Sequence, residues 1–324
     1  MNKTLAGIIL SLMSSLAVGQ TVDYSVIFVP QESGVEFTQI TSDNDYVCMP
    51  IVKRSGAKVT WLTNRIIAIS KNDQSLYFIS FRNNTTNIFI KDTDKKGSSI
   101  QRTKRQSVVD FSISPDSKLL CFSEKNGNKK NEIYQTSSTN GYICRQVTNG
   151  TMDYSPIYSA DMANIYFARK EQKSHSIWSY NIKNNFLSNY SSGMNPYPLK
   201  NDEMLCTRMN AQGRGEIWRV NFNSGVEECI LSDPERSFSS PALSPNGRWI
   251  LLVGSNVLQN QKRQYANTDI FVCRPDGTEL RQLTCHAADD LSPIWSNNGS
   301  YIYFISQRGS ATGTANVWRM TFTE

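Results

Sequence analysis

Four arginines stand at a recurring place in the sequence. Arg82, Arg169, Arg208 and Arg308 each come at the end of a short apolar run. A guanidinium is a fixed fork that takes carboxylate or phosphate oxygens two at a time, so a ring of them around one opening would hold an acidic ligand. The competing arrangement pairs each arginine with an acid of its own unit, as Arg208 with Glu216. His175 and His286 are the only histidines. His286 opens the run HAADD at 286–290, followed by Asp289 and Asp290. An imidazole beside carboxylates can do acid–base work or hold a metal. This spacing matches no ligand pattern, and no metal or other cofactor is expected. Tyr265 sits in an irregular stretch and is a candidate exposed aromatic contact. The candidate ligand-binding set is Arg82, Arg169, Arg208, Arg308, Tyr265, His286 and Asp289, with no catalytic residue. No GxSxG elbow, HExxH or phosphate-binding Walker loop occurs to suggest an enzyme.

The elements that must position these residues repeat. A turn followed by an apolar strand recurs as SKNDQSLYF from Ser70, SPDSKLLCF from Ser114, SADMANIYF from Ser159, SPNGRWILL from Ser244 and SNNGSYIYF from Ser296. A degenerate copy, KNDEMLCT, starts at Lys200, and successive spacings are 44, 45, 41, 44 and 52 residues. Each unit then carries a polar residue, Ile or Val, and an aromatic: Asn87-Ile88-Phe89, Glu132-Ile133-Tyr134, Ser176-Ile177-Trp178, Glu216-Ile217-Trp218, Asp269-Ile270-Phe271 and Asn316-Val317-Trp318. A fourth short strand ends in Thr or Ser, as in RQVT at 145–148 and RQLT at 281–284. Four β-branched and aromatic strands per unit of about 44 residues describe the blade of a β-propeller. Trp178, Trp218 and Trp318 share one repeat position and are read as packing residues.

The last unit lacks its fourth strand, and FTQIT at 37–41 matches the missing type. The expected fold is all-β, a six-bladed β-propeller of four-stranded antiparallel blades closed by this N-terminal strand. Two stretches break the period, at 42–60 and 254–267. By propeller topology both lie on one face, the top, where outer strands lead into the next blade and second strands turn into third strands. Loops that depart from a rigid scaffold are common seats of function.

Composition fits a folded, exported chain. Hydrophobic residues make up 39% of the 324, aromatics 10% and charged residues 19%, which excludes disorder and a coiled coil. The net charge of +6 comes from scattered basic residues, so no nucleic-acid partner is expected. Residues 1–19 combine Lys3, an apolar stretch from Leu5 to Leu16 and the small-x-small site Ala17-Val18-Gly19. They are read as a signal peptide, with a single propeller domain at 20–324. No cysteine follows the cleavage site, so a lipid anchor and membrane insertion are not expected; localisation is periplasmic or extracellular. The seven cysteines, 48, 121, 144, 206, 229, 273 and 285, are mostly read as small buried hydrophobes.

RQLT, then DLSPIWSNNGSYIYFISQRG, then NVWRM, resembles the TolB-like six-bladed propeller family over about residues 36–320. The resemblance implies a stand-alone propeller, because residues 20–35 leave no room for the extra α/β domain that TolB carries. It also implies a non-catalytic, monomeric binding or scaffolding module for an envelope protein or acidic polysaccharide. The alternative is a propeller enzyme acting on an acidic glycan. Oligogalacturonate lyases share this style of repeat, but their metal site uses several histidines.

Overall fold

Five of the six repeats open on the same turn, and its serine explains why. Ser70, Ser114, Ser159, Ser244 and Ser296 donate from Oγ to the Asn or Asp two residues on, at 2.6–2.7 Å. The same oxygens accept the amide five residues on, at 2.9–3.0 Å. One side chain thereby closes the hairpin that joins the first strand to the second. The terminal threonine of the fourth strand has an equally regular task. Thr103, Thr148, Thr284 and Thr41 accept the amides of Ile88, Ile133, Ile270 and Val317, at 2.8–3.0 Å.

The computed structural model describes residue 32 and residues 35–50, 52–55, 58–61, 65–95, 97–127, 130–172, 174–260 and 263–324. The signal-peptide reading of 1–19 lies outside the described residues. The strands form six four-stranded antiparallel blades. Blade one is Ile67–Ile69, Ser75–Arg82, Thr85–Asp92 and Ile100–Gln101. Blade two is Val108–Ile113, Leu119–Asn126, Lys130–Ser137 and Cys144–Gln146. Blade three is Asp153–Tyr158, Asn164–Lys170, His175–Asn181 and Leu187–Ser192. Blade four is Met194–Pro198, Glu203–Met209, Gly215–Asn221 and Glu227–Leu231. Blade five is Ser237–Leu243, Ile250–Asn260, Arg263–Cys273 and Arg281–Gln282. Blade six takes Asp290–Trp295, Tyr301–Ser306 and Asn316–Thr321 from the end of the chain and Phe37–Gln39 from its beginning. Phe37 pairs with Met320 and Gln39 with Trp318, so the closing strand lies where the repeat demanded it.

Period-two alternation divides each second strand between two neighbours. Ile165 and Phe167 of blade three pack with Cys121 and Ile133 of blade two, while Tyr166 packs with Met204 and Cys206 of blade four. Ile250 and Leu252 of blade five face blade four, and Leu251 faces blade six. The hydrophobic core is therefore a set of wedges between blades, and no blade buries its own surface alone. Cys121, Cys206 and Cys273 belong to these wedges. Cys48, Cys144 and Cys285 are only partly buried and Cys229 is exposed, so fewer than half of the cysteines are the buried hydrophobes expected.

The junction of blades one and six has further ties. Asn297 donates to Asp73 from its amide at 2.8 Å and from its side chain at 2.6 Å on the bottom face. On the top, Val47 bridges Ser80 and Ala315, and Asn316 donates to Asp43 at 2.7 Å. Both insertions contain strands where irregular loops were expected. Val52–Ser55 pairs with Lys58–Trp61, and the central hairpin of blade five runs eleven residues a side against six to eight in the other blades.

Candidate functional site

The four arginines do sit towards the top of their blades, and each is engaged by the protein's own acids. Arg169 clasps Asp153 through Nε at 2.7 Å and Nη2 at 3.0 Å. Arg208 clasps Glu227 through two bonds of 2.7 Å, so its partner is Glu227 and not Glu216. Its hydrogen bonds hold Glu227 below the usual carboxylate range. Arg82 donates to Ser80 and Ser99 at 2.9 and 2.6 Å and lies 3.6 Å from Asp45. Arg308 meets Asp290 at 2.5 Å and both oxygens of Glu32 at 3.1 Å.

The structure resolves these arginines into two registers. Arg169 and Arg208 stand opposite Ser176 and Glu216, the polar residues ahead of the repeated Ile. Arg82 and Arg308 lie two residues beyond that position and brace on Ser80 and Ser306. In blade two the position holds Glu124, and the cation is Arg105 from the incoming loop, with Nε 2.8 Å from Oε2. The charges are thus exchanged in that blade. In blade five the position is Gly254, where a Cβ would come within 2.5 Å of the Phe271 ring.

The repeated aromatics serve as shelves for these cations. Guanidinium carbons lie 4.1 Å from the Phe89 ring centroid, 4.6 Å from Tyr134, 4.3 Å from Trp178 and 4.8 Å from Trp218. Arg308 instead lies 4.4 Å from Phe37 of the closing strand and 4.9 Å from Phe304.

His286 is buried, and its Nδ1 accepts the amide of Ala288 at 3.0 Å. Asp289 accepts both the amide and the hydroxyl of Thr268, at 3.0 and 2.7 Å. His175 is in blade three, away from both, and burial lowers its pKa. Tyr265 pairs with Leu258 in the long hairpin of blade five. Among the described residues no three His, Cys, Asp or Glu side chains are grouped to hold a metal ion.

The axis of the ring holds polar groups that the sequence did not reveal. Ser155, Asn195, Ser240 and Ser292 each precede a proline and have φ of 50, 54, 59 and 53°. All four coincide with a register shift in the innermost strand. A bulge in the left-handed region is costly before proline, and Ser and Asn tolerate it better than larger residues. Ser292 Oγ accepts the amide of Ile66 in the next blade at 3.2 Å. Arg65 donates to the carbonyls of Ser155 and Pro196, tying blade one to blades three and four. Asp110 accepts Ser123 Oγ at 2.5 Å and the Ser155 amide at 2.8 Å. Desolvation pulls Arg65 down to about 10 and pushes Asp110 up to about 6.

That displacement has a definite sign. A carboxyl with a raised pKa binds its proton more tightly in the folded state than in the unfolded chain. Its contribution is complete below the unfolded pKa of 3.8 and is lost as pH rises through about 6. A displacement of about 2 pH units is worth about 3 kcal/mol. Urea unfolding between about pH 4 and about pH 7 is expected to lose this slope in Asp110→Asn. An unchanged slope would place the titration elsewhere.

The two insertions rise from the same face as the arginines. The backbone of Lys58–Trp61 passes within 8 Å, Cα to Cα, of Ser237–Leu243 in blade five. This is the blade that carries the long hairpin. No acidic residue occurs at 46–72 or 236–268, the segments containing these insertions. Among the described residues, no helix is long and apolar enough to cross a membrane.

No protein-family profile matches the sequence. Similarity to solved structures is extensive. A protein from Agrobacterium tumefaciens assigned as a TolB superposes with a TM-score of 0.60 at 18% identity, covering 83% of this chain and 95% of that one. TolB from Acinetobacter baumannii gives 0.56 at 15% identity, over 80% of this chain and 63% of that one. Oligogalacturonate lyase from Vibrio parahaemolyticus gives 0.57 at 11% identity, over 95% and 99%. At such identities the likeness speaks for architecture. The chain is a six-bladed β-propeller of TolB-like fold, closed by its N-terminal strand.

Proposed function

We propose that this propeller is an exported, non-catalytic binding or scaffolding module of the cell envelope. Its top face takes an acidic partner. The observation that carries this reading is that both departures from the repeat emerge on that face, in segments free of acidic residues. The ring itself supports them as a rigid platform, since its own guanidiniums are engaged by its own acids. TolB and oligogalacturonate lyase share the fold, and function on such a scaffold is decided by the site rather than by the architecture.

The test uses the mature chain, residues 20–324, against acidic and neutral polysaccharides, peptidoglycan fragments, divalent metals and envelope extract. A ligand that binds only the folded state raises the melting temperature by mass action. The expected result is stabilisation by, or co-purification with, an acidic partner, without turnover. Release of unsaturated or shortened sugar products would overturn the non-catalytic reading. Absence of any shift or co-purifying partner would overturn the binding role.

A further inference from the structure

The outer strand of each blade is a sheet edge, and five of the six are blunted. Blades one and five end in strands of two residues, and blade six ends in the three residues Phe37–Gln39. Blade two has three residues with Arg145 at their centre, and blade four carries Glu227 and Glu228. Short strands and charges are common guards of an edge. Turns of the following blades add cover. A Cβ on Gly141 would meet the carbonyl oxygen of Arg102, and one on Gly277 that of Ile230, so these turns lie against the outer strands of blades one and four. Blade three is the exception. Its outer strand, Leu187–Ser192, is six residues long and has no charge and no proline. The turn of blade four gives it no such cover, since nothing lies within 4 Å of a Cβ placed on Gly225.

The ladder shows which backbone groups this edge presents. Bonded and non-bonded pairs alternate between antiparallel strands. Asn181 N donates to Phe186 O at 2.9 Å, which makes that pair a bonded one. Counting along the register, Tyr180–Leu187 is non-bonded, Ser179–Ser188 is bonded and Trp178–Asn189 is non-bonded. The N–H and C=O of Leu187 and Asn189 therefore point away from the blade. At the far end of the strand, Ser192 O is taken by Arg208 Nε at 3.1 Å. The open stretch is Leu187–Asn189, beside Phe186, which is 64% exposed.

We propose that this edge pairs with the same edge of a second copy of the chain. A two-fold axis at Ser188 sets Leu187 opposite Asn189 of the second copy, and Asn189 opposite its Leu187. Each becomes a bonded pair that exchanges both N–H···O=C bonds, so every outward group of the stretch is satisfied at once. No charge on one copy repels its twin, and no charge is offered that would select a partner of other sequence. The two third blades join into one continuous sheet, and Phe186 is covered at its margin. The contact lies on the side of the ring, so it goes beyond the top-face binding role and does not depend on it. It makes a dimer of a chain for which the family resemblance implied a monomer.

Sedimentation velocity of the mature chain from about 1 µM to about 1 mM covers the range in which so small an interface associates. A dimer is expected to grow in with concentration. Asn189→Pro removes an N–H that the blade does not use, a place where an edge strand tolerates proline. It is expected to weaken the dimer at least tenfold while the melting temperature holds. Ser188→Pro removes an N–H bonded within the blade, and its melting temperature is expected to fall. Asn189→Lys places two lysines on one face of the joined sheet, so association is expected to vanish at low salt and return in part at high salt. Directly opposed residues of a non-bonded pair have Cα atoms about 4.5 Å apart, within disulfide reach. In a Cys229→Ser background, Ser188→Cys is therefore expected to cross-link on mild oxidation, and Asn189→Cys, offset across the axis, is not.

A wild-type chain that stays monomeric to the highest concentration would overturn the proposal. So would a dimer that Asn189→Pro and Asn189→Lys leave intact. Cross-linking of Asn189→Cys in place of Ser188→Cys would overturn the register.

Discussion

A chain that begins at Ser42 is expected to lose about 5 kcal/mol of stability. The sum is short. Phe37 packs edge-on against Phe304 at 6.2 Å, and burying a phenylalanine is worth about 2 kcal/mol. The strand also supplies backbone bonds, among them Ile40 N to Val317 O at 2.8 Å, and the Thr41 hydroxyl that caps Val317. Each such bond contributes about 1 kcal/mol net. A loss of this size rivals the whole stability of an ordinary domain. The third strand of blade six becomes an open edge as well, a template for aggregation. Thermal denaturation of this truncation should show a sharply lowered midpoint or a broadened transition, and a peptide spanning 35–41 should restore it in part. Thr41→Val, which removes only the hydroxyl, should cost about 1–2 kcal/mol. A truncated chain that melts like the full one would mean that the Asp73–Asn297 and Val47 ties hold the ring closed alone.

Arg308→Ala should be the most damaging of the arginine substitutions. Its side chain is 6% exposed and Asp290 is fully buried, so removing the cation strands a carboxylate inside the protein. Breaking one side of a buried pair costs about 3–5 kcal/mol. Arg208→Ala should cost no more than about 1 kcal/mol, because the side chain of Glu227 is 43% exposed and water can replace the guanidinium. Burial already raises the Asp290 pKa while Arg308 opposes it. Without the arginine, Asp290 becomes easier still to protonate, so the damage should shrink as pH falls. The double substitution Arg308→Leu with Asp290→Asn should recover part of the loss, since no buried charge remains. Urea unfolding of these variants at two pH values decides the point. Equal losses for Arg308→Ala and Arg208→Ala would show that burial of the pair does not govern its worth.

What could be read in the sequence is what repeats. The turn serine and the terminal threonine recur with fixed partners, so blade number, strand order and even the closing strand followed from spacing. The insertions were visible as breaks in the period. Their strands were not, because Gly, Asn and Gln made both segments look irregular. The arginines were seen at one recurring place, yet they belong to two registers, and Arg208 meets Glu227 rather than the directly opposed Glu216 because its guanidinium reaches over the Trp218 ring to the outer strand, two strands away. Arg65, Asp110 and Arg105 escaped notice for one reason. Blades one and two lack the residue–proline signature of the other four at the axis, and blade two exchanges its charges. A residue that occurs once leaves no periodic trace, whatever its role. The axial contacts join positions up to 226 residues apart, as between Ile66 and Ser292, and only the closed ring brings them together.

The charge exchange in blade two bears on how such a ring grows by duplication. In blade three the ion pair, Arg169 with Asp153, is internal to the unit, so a copied or transplanted blade carries both charges with it. In blade two the arginine belongs to the linker that follows blade one, while its glutamate belongs to the second strand. A duplication that starts at the first strand of blade two would separate the partners, leaving Glu124 without a counterion and Arg105 without a ligand. For this part of the ring the heritable module is a blade together with the linker ahead of it. Exchange of blades between propellers should succeed when the cut is made before Arg105 and fail when it is made after.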